Sequence, residues 1–380
     1  MTHPDPPDDK KTFAGFTLDH SQQTQADATL ADDEDITDPS IPPLTPSAHA
    51  QLDPTRFQVE GLIGVGGMGE VERIADRLLG RHIARKRVKE ELIESTSVCG
   101  RFEDEARITA QLDHPGIIPV HDMGIDASGR PWFTMKEIQG KTFTGVISEL
   151  RTARLHGEKK TARGWTLHRA VQAFRQSCEA VGYAHHRGVL HRDIKPDNIM
   201  VGDFGEVWVL DWGLARLVGS RDPHSAPQTA PHISLATLTT HGRTRQGSLT
   251  GTPAFMSPEQ ARGLHEQLLP ASDVWSLGAV LYTLLTGQPP WFGLDIYDIV
   301  ARLRAGESPS WPSKTHTEAP EFLVEICRMA LSPEPEDRYA SGQELAEGVA
   351  DWLEGAQRRE RALELIEESD ALLSQPVDDD

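Results

Sequence analysis

The chain is short of cysteine, short of basic residues, and without a long apolar run. Its three cysteines, Cys99, Cys178 and Cys327, form no spaced pattern. That excludes a disulfide scaffold and a cysteine-built zinc site, and a reduced, cytoplasmic compartment is the simplest reading. Lys and Arg total 38 against 58 Asp and Glu, for a net charge of −20. Nucleic-acid binding wants basic stripes, so that class of partner is not expected. The best apolar stretch, Val274 to Leu285, is too short to span a bilayer and reads as a buried helix. Met1 is not followed by a basic-then-apolar leader. No internal repeat is visible. At 380 residues and 38% hydrophobic, the chain suits one two-lobed unit with tails.

What is present is a set of short motifs in a fixed order. His191-Arg192-Asp193-Ile194-Lys195-Pro196-Asp197-Asn198 puts a carboxylate, an ammonium and a carboxamide in one loop. Phosphoryl transfer needs such a set: one group to orient a hydroxyl, one to neutralise the moving phosphate, one to hold a metal. Upstream, Gly64-Val65-Gly66-Gly67-Met68-Gly69-Glu70-Val71 lets the backbone lie close over phosphates. Alone it fits a dinucleotide turn or a glycine-rich hairpin. A dinucleotide site wants strand, glycines, then helix; here Phe57 to Ile63 and Val71 to Ile74 are both β-like, which favours the hairpin. Val207 to Leu210 reads as a short buried strand delivering Asp211-Trp212-Gly213. Asp211 and Asn198 are oxygen donors suited to Mg²⁺ or Mn²⁺ rather than zinc. His185, His186 and His191 read as helix-end and loop framework, not as a metal cluster.

These motifs resemble those of protein kinases: H-R-D-x-x-x-x-N, G-x-G-x-x-G-x-V, and D-F-G with Trp212 for Phe. Ile83-Ala84-Arg85-Lys86 resembles V-A-I-K. Gly251-Thr252-Pro253-Ala254-Phe255-Met256-Ser257-Pro258-Glu259 resembles the A-P-E segment. His114-Pro115-Gly116-Ile117-Ile118-Pro119-Val120 and Met256 to Gly263 resemble the bacterial eukaryotic-like serine/threonine kinases. The resemblance covers roughly Phe57 to Leu353. It implies an α+β, bilobal protein kinase fold, with a small β-rich N-lobe carrying one key helix and a larger, mostly helical C-lobe. It also implies ATP as phosphoryl donor, a divalent cation, and Ser/Thr hydroxyls of proteins as acceptors.

The roles carried over are as follows. Asp193 orients the hydroxyl and takes its proton, and Lys195, two residues on, marks a serine/threonine rather than a tyrosine kinase. Lys86 reaches the α/β-phosphates and pairs with a Glu on the next helix, Glu105 by alignment, with Glu103 as fallback. Ile63, Gly64, Val65, Gly66, Gly67, Met68, Gly69, Val71, Ala84 and Met135 line the nucleotide site. The backbones of Lys136 and Ile138 meet the adenine edge. Asn198 and Asp211 hold metal. Arg338 pairs with Glu259, Asp273 opens a structural helix, and Thr252 contacts the catalytic loop. Arg192 implies an anion site for a phosphate on the activation segment, Asp211 to Glu259, with Thr244, Ser248 and Thr250 favoured over Thr239 and Thr240. Trp212 is expected to pack beneath the Glu105 helix.

Around this core, residues 1–54 are expected to be a disordered acidic tail, rich in Pro, Asp, Ser and Thr with only Lys10 and Lys11 as basic residues beyond His. Thr29 and Thr37 are its candidate regulatory hydroxyls. The kinase domain is placed at 55–354, split into lobes 55–138 and 139–354. A basic, loop-like insertion is expected over Arg151 to Arg163, ahead of a helix from Leu167 to Arg187. Residues 355–380 form a charged helical tail, either a linker or a short coiled coil. A homodimer that autophosphorylates in trans is compatible with this reading. The rivals are a pseudokinase scaffold, against which Lys86, Glu105, Asp193, Asn198 and Asp211 are all present, and an interaction protein built on the acidic tail.

Overall fold

The computed structural model describes residues 56–218, 253–312 and 319–373. The remaining positions, including Thr29, Thr37, Thr239, Thr240, Thr244, Ser248, Thr250 and Thr252, lie outside the described residues.

The first part is a five-stranded antiparallel sheet. Its strands are β1 (Phe57–Val65), β2 (Gly69–Asp76), β3 (Arg81–Val88), β4 (Val120–Ile125) and β5 (Pro131–Lys136), in the order β1-β2-β3-β5-β4. One helix, α1 (Thr96–Ala110), packs on β4 and β5. Phe102 and Ala106 turn inward from α1 onto Val88 and Phe133, and the Phe102 and Phe133 rings lie 5.0 Å apart. Apolar residues spaced four apart on a helix form the stripe such a contact needs.

Beyond Lys136 the chain is mostly helical. It contains β6 (Lys141–Thr142), α2 (Phe143–Leu155), α3 (Leu167–His186), β7 (Val189–Leu190), β8 (Ile199–Val201), β9 (Val207–Val209) and β10 (Arg216–Leu217). Helices α4 (Pro258–Ala261), α5 (Pro270–Thr286), α6 (Ile296–Ala305), α7 (Glu321–Ala330) and α8 (Gly342–Leu373) follow. The bilobal α+β architecture expected from the sequence is present. Helix α5 is buried on every side, from Ala271 to Leu285, which explains an apolar run that is not a membrane span. Among the described residues no helix is long and apolar enough to cross a membrane.

One expectation needs correcting. Residues 151–155 are not loop but the last turns of α2. The basic residues hide an amphipathic pattern: Leu150 and Ala153 are buried, and Arg154 reaches the Leu285 carbonyl at 3.1 Å. The loop is therefore 156–166. Helix α3 ends at His186, one residue before the expected limit.

The helical part is tied together by one buried ion pair. Arg338 donates to Glu259 twice, at 2.7 and 3.1 Å, and to the carbonyls of Ala271, Ser332 and Pro333. Ser272 Oγ donates to the same carboxylate at 2.7 Å. Burial alone would raise the Glu259 carboxyl, but the guanidinium and the hydroxyl outweigh it and hold its pKa below the usual range. In the sheet, Arg56 forks onto Asp76 at 2.9 and 2.8 Å and holds that carboxyl to about 2. Both groups bind fewer protons folded than unfolded at mildly acid pH. Their stabilisation is present above about pH 4–5 and is lost as pH falls through the depressed folded values.

Two outcomes follow from these contacts. Arg338→Met lowers the unfolding free energy by about 3–5 kcal/mol, because Glu259 is left buried and unpaired; urea denaturation followed by circular dichroism measures it. A loss under about 0.5 kcal/mol contradicts the pair's role. Stability measured against pH declines from about pH 5 downward, and a flat profile to pH 3 contradicts the assigned carboxylates.

Candidate active site

The glycine-rich stretch is the turn of the β1–β2 hairpin. Gly66 N donates to Gly69 O at 2.8 Å, and Lys89 N donates to Met68 O at 3.1 Å. A Cβ on Gly69 would sit 2.8 Å from the Arg87 carbonyl oxygen, so only glycine lets β2 approach β3 there. Ile63, Gly64 and Val65 lie on β1 before this turn, Gly67 and Met68 within it, and Val71 on β2 after it.

Lys86 on β3 faces Val71 across one ladder and Phe133 across the other. Its ammonium is 2.5 Å from Glu105 Oε1 on α1 and 3.7 Å from Asp211 Oδ1. Glu103, the fallback, instead pairs with Arg107 one turn along the same helix, at 2.9 Å. Burial disfavours the Lys86 ammonium, yet the Glu105 and Asp211 carboxylates together hold its pKa above the usual lysine range. Burial raises the Glu105 carboxyl, and Lys86 opposes that rise without cancelling it. A Cβ on Gly213 would meet Met68 Cε at 3.0 Å, Glu105 Oε2 at 3.1 Å and Asp211 Oδ1 at 3.2 Å. Gly213 is thus where the hairpin tip, α1 and the Asp211 loop converge, with no room for a side chain.

The loop from His191 to Asn198 hangs on one buried carboxylate. Asp273, in the first turn of α5, accepts from His191 N at 2.7 Å and from Arg192 N at 2.8 Å. Its third partner is His185 Nε2, at 3.0 Å. These donors offset the burial penalty and keep the Asp273 carboxyl below the usual range. His185 Nδ1 accepts from Gly342 N at 3.1 Å, so Nε2 carries the proton given to Asp273. His191 works likewise: Nδ1 accepts from Asp193 N at 3.3 Å, and Nε2 donates to Leu210 O at 3.0 Å. Both histidines are framework groups. Among the described residues no cluster of three or more His, Cys, Asp or Glu is placed to hold a metal by itself.

Within the loop, Lys195 Nζ donates to Asp193 Oδ2 at 2.6 Å. Asn198 Nδ2 donates to Asp193 O at 2.8 Å and to its Oδ2 at 3.2 Å. That use of the amide nitrogen leaves the Asn198 carbonyl oxygen as the donor for a hard cation. With Asp211 it gives an oxygen pair fitting Mg²⁺ or Mn²⁺. Arg192 and Asp211 have positive φ, 69° and 61°. Left-handed backbone at non-glycine residues costs energy and persists only where the surroundings enforce it. At Arg192 the enforcing bonds are Asp273 on its N–H and Gln260 Nε2 on its carbonyl, at 2.8 Å.

At the lobe connection, Ala84 pairs with Met135 and Ile83 with Lys136. Lys136 N donates to Pro119 O at 3.4 Å, and its ammonium lies 4.8 Å from the Trp208 ring centroid. Ile138 follows, half-buried, past the strand. Trp212 joins a core cluster against which Ile108 of α1 also packs. Its Nε1 donates to Val209 O at 3.2 Å, its ring lies 4.6 Å from that of His191, and it belongs to the large-lobe core.

Four contacts were not foreseen from the sequence. Gln260 completes a capping box with Ser257, which the S-P-E-Q spacing signals. Thr144 Oγ1 donates to Asp197 at 2.8 Å, tying α2 to the loop. Gly342 meets His185 across the helical part. Arg73 on β2 bridges Glu137 at 3.1 Å and Glu60 at 3.7 Å. The last three join residues far apart in the chain, where no local pattern exists to read.

The comparisons with known proteins agree with this geometry. The protein kinase domain family matches residues 57–348. The chain is 35% identical over 302 residues to the serine/threonine-protein kinase PknD of Protochlamydia amoebophila, covering 79% of this chain and 30% of that protein. It is 34% identical over 304 residues to the protein of that name from Chlamydia felis, covering 79% and 31%. The chain thus spans about a third of the length of the curated relatives it matches. With most of its length inside the matched region, the chain belongs to the protein kinase family, in its bacterial eukaryotic-like serine/threonine branch.

Proposed function

We propose that the chain transfers the γ-phosphoryl group of ATP to Ser or Thr hydroxyls of proteins, and that residues 55–354 form the unit that does so. The observation that carries the reading is the convergence of Lys86, Glu105 and Asp211 opposite the Asp193–Lys195–Asn198 loop. Asp193 orients the acceptor hydroxyl and takes its proton as the oxygen attacks the γ-phosphorus. The bond from that phosphorus to the β–γ bridging oxygen breaks, and ADP leaves with the electron pair. Lys195 neutralises charge on the transferring group. Lys86, held by Glu105, steadies the remaining phosphates, and the hairpin at Gly66 to Gly69 covers them. A divalent cation at Asn198 and Asp211 offsets phosphate charge when bound. Most of the acceleration is positioning and electrostatics.

Arg192 serves as the anion site for a phosphate on the activation segment. Thr244, Ser248 and Thr250 are the proposed acceptors, filled by a second copy of the chain in trans. A phosphate adds about −1.5 to −2 charge, enough to order a loop against an Arg. The setting is bacterial signalling in the cytoplasm.

Arg73 shares a sheet face with Val71, Ala84 and Lys86, because its ladder partner is Ala84. Its contact with Glu137 fixes the chain between Lys136 and Ile138, the rim of the adenine site.

Three measurements test the reading. Asp193→Asn lowers turnover on a protein acceptor by on the order of 10²–10⁴, the general-base range; undiminished turnover overturns the assignment. Mass spectrometry of the active protein finds phosphate on the activation segment, and alanine at Thr244, Ser248 and Thr250 together lowers activity; full activity of that variant removes the switch. Arg73→Ala raises the KM for ATP about two- to fivefold with kcat unchanged, as a half-exposed pair worth up to about 1 kcal/mol should. A fall in kcat alone contradicts a rim role.

A further inference from the structure

The loop between α2 and α3 concentrates cations in a strongly acidic protein. Lys159, Lys160 and Arg163 are exposed, and Arg169 stands in the first turn of α3, where there is no acidic residue. The loop is tightly knit. Thr161 N donates to Trp165 O, Gly164 N to Thr161 O, and Trp165 N to Thr161 Oγ1, at 2.9, 2.8 and 3.1 Å. Trp165 and Thr161 are buried beneath it. The Arg169 guanidinium lies 4.2 Å from the Trp165 ring centroid. At Gly164, φ is 80°, and the point where a Cβ would stand is 3.9 Å from Arg169 Nη1 and 4.0 Å from Lys160 Nζ. Lys160 Cε is 3.3 Å from the same point, so the lysine stem and the Arg169 guanidinium both border Gly164 and bring two cations together there.

Neither Lys160, Arg163 nor Arg169 makes an ion pair with any described residue. Of the acids nearby, Glu149 binds Lys141, Asp203 is exposed and also acts on Lys141, and Glu158 is exposed at the start of the loop. Burial, and then the Arg163 guanidinium, hold the Lys141 ammonium below its usual range against the opposing Asp203 carboxylate. Like charges kept together without a counter-charge on a rigid frame form a site poised for an anion.

We propose that this surface, Lys160, Arg163 and Arg169 around Gly164, docks an acidic segment of a protein substrate. The first turn of α2 touches the catalytic loop through Thr144 and Asp197, and the helix then runs about 20 Å to the loop at 1.5 Å per residue. An extended substrate bridges that distance with about six residues. A short acidic peptide suits the patch better than a membrane or a nucleic acid. Charges are screened beyond about 8 Å, so a short segment feels the patch alone, whereas a broad polyanion meets the rest of a chain of net charge −20.

The substrate role rests on the kinase reading, but docking is measured without catalysis. Fluorescence anisotropy compares a labelled eight-glutamate peptide with its glutamine counterpart, on the full chain carrying Asp193→Asn. The expected result is binding of the glutamate peptide only, weakened at least tenfold by Lys160→Glu with Arg163→Glu and weakened by salt. If charge reversal lowers the melting temperature, Lys160→Gln with Arg163→Gln replaces it. In the active chain, a glutamate tract placed about six residues from the acceptor serine lowers KM, and the double variant abolishes that gain while leaving the tract-free peptide unchanged. No binding by the unmutated patch, or equal binding by the variant, overturns the proposal. So does loss, in the variant, of binding to anionic vesicles or an oligonucleotide with no binding of the peptide.

Discussion

A carboxylate inside a protein must find hydrogen bonds or it costs more than the fold can supply, and Asp273 sits in that position at the centre of this molecule. It is nearly inaccessible, and its three donors come from two separate stretches of chain. Satisfying it forces His191 and Arg192 to turn their N–H groups inward, which in turn imposes the left-handed backbone at Arg192. With the loop turned that way, the imidazole of His191 reaches Leu210 and sets the residue ahead of Asp211. His185 passes the same constraint to the first residue of α8. The site is thus assembled from the helical core outward.

The smaller lobe joins this frame through Lys86. Its ammonium is the point where β3, α1 and the Asp211 loop meet. Removing any one carboxylate leaves a partly buried cation underpaired, so the geometry is shared among three elements rather than owned by one. The crowding at Gly213, where Met68, Glu105 and Asp211 all come within about 3 Å of an added Cβ, shows how little slack remains.

Much of this was legible in the sequence, and for a physical reason. Residues that act on one phosphate must stand in short, rigid segments, so their spacing is local and readable: the hairpin glycines, the loop from His191 to Asn198, and Asp211 after a buried strand. Alignment with the kinase pairing position prefers Glu105 to Glu103, and the structure places Glu105 at the ammonium. What escaped was non-local or masked by composition. The basic residues of 151–155 concealed a helix whose buried face is Leu150 and Ala153. The acceptor that the buried indole N–H of Trp212 finds at Val209 O has no signal in the sequence. The bridge from Arg73 to Glu137 spans 64 residues and has no sequence signature.

The most direct test compares two neighbouring acids on one helix. Phosphate incorporation from labelled Mg·ATP into a serine-containing protein is measured for the unmutated chain, Glu105→Gln and Glu103→Gln. The account predicts that Glu105→Gln loses at least tenfold in rate, because Lys86 is released from α1. Glu103→Gln, which breaks only an exposed pair with Arg107, should keep the full rate. Equal rates for the two variants, or a larger loss from Glu103→Gln, would contradict a site built on the Lys86–Glu105 contact.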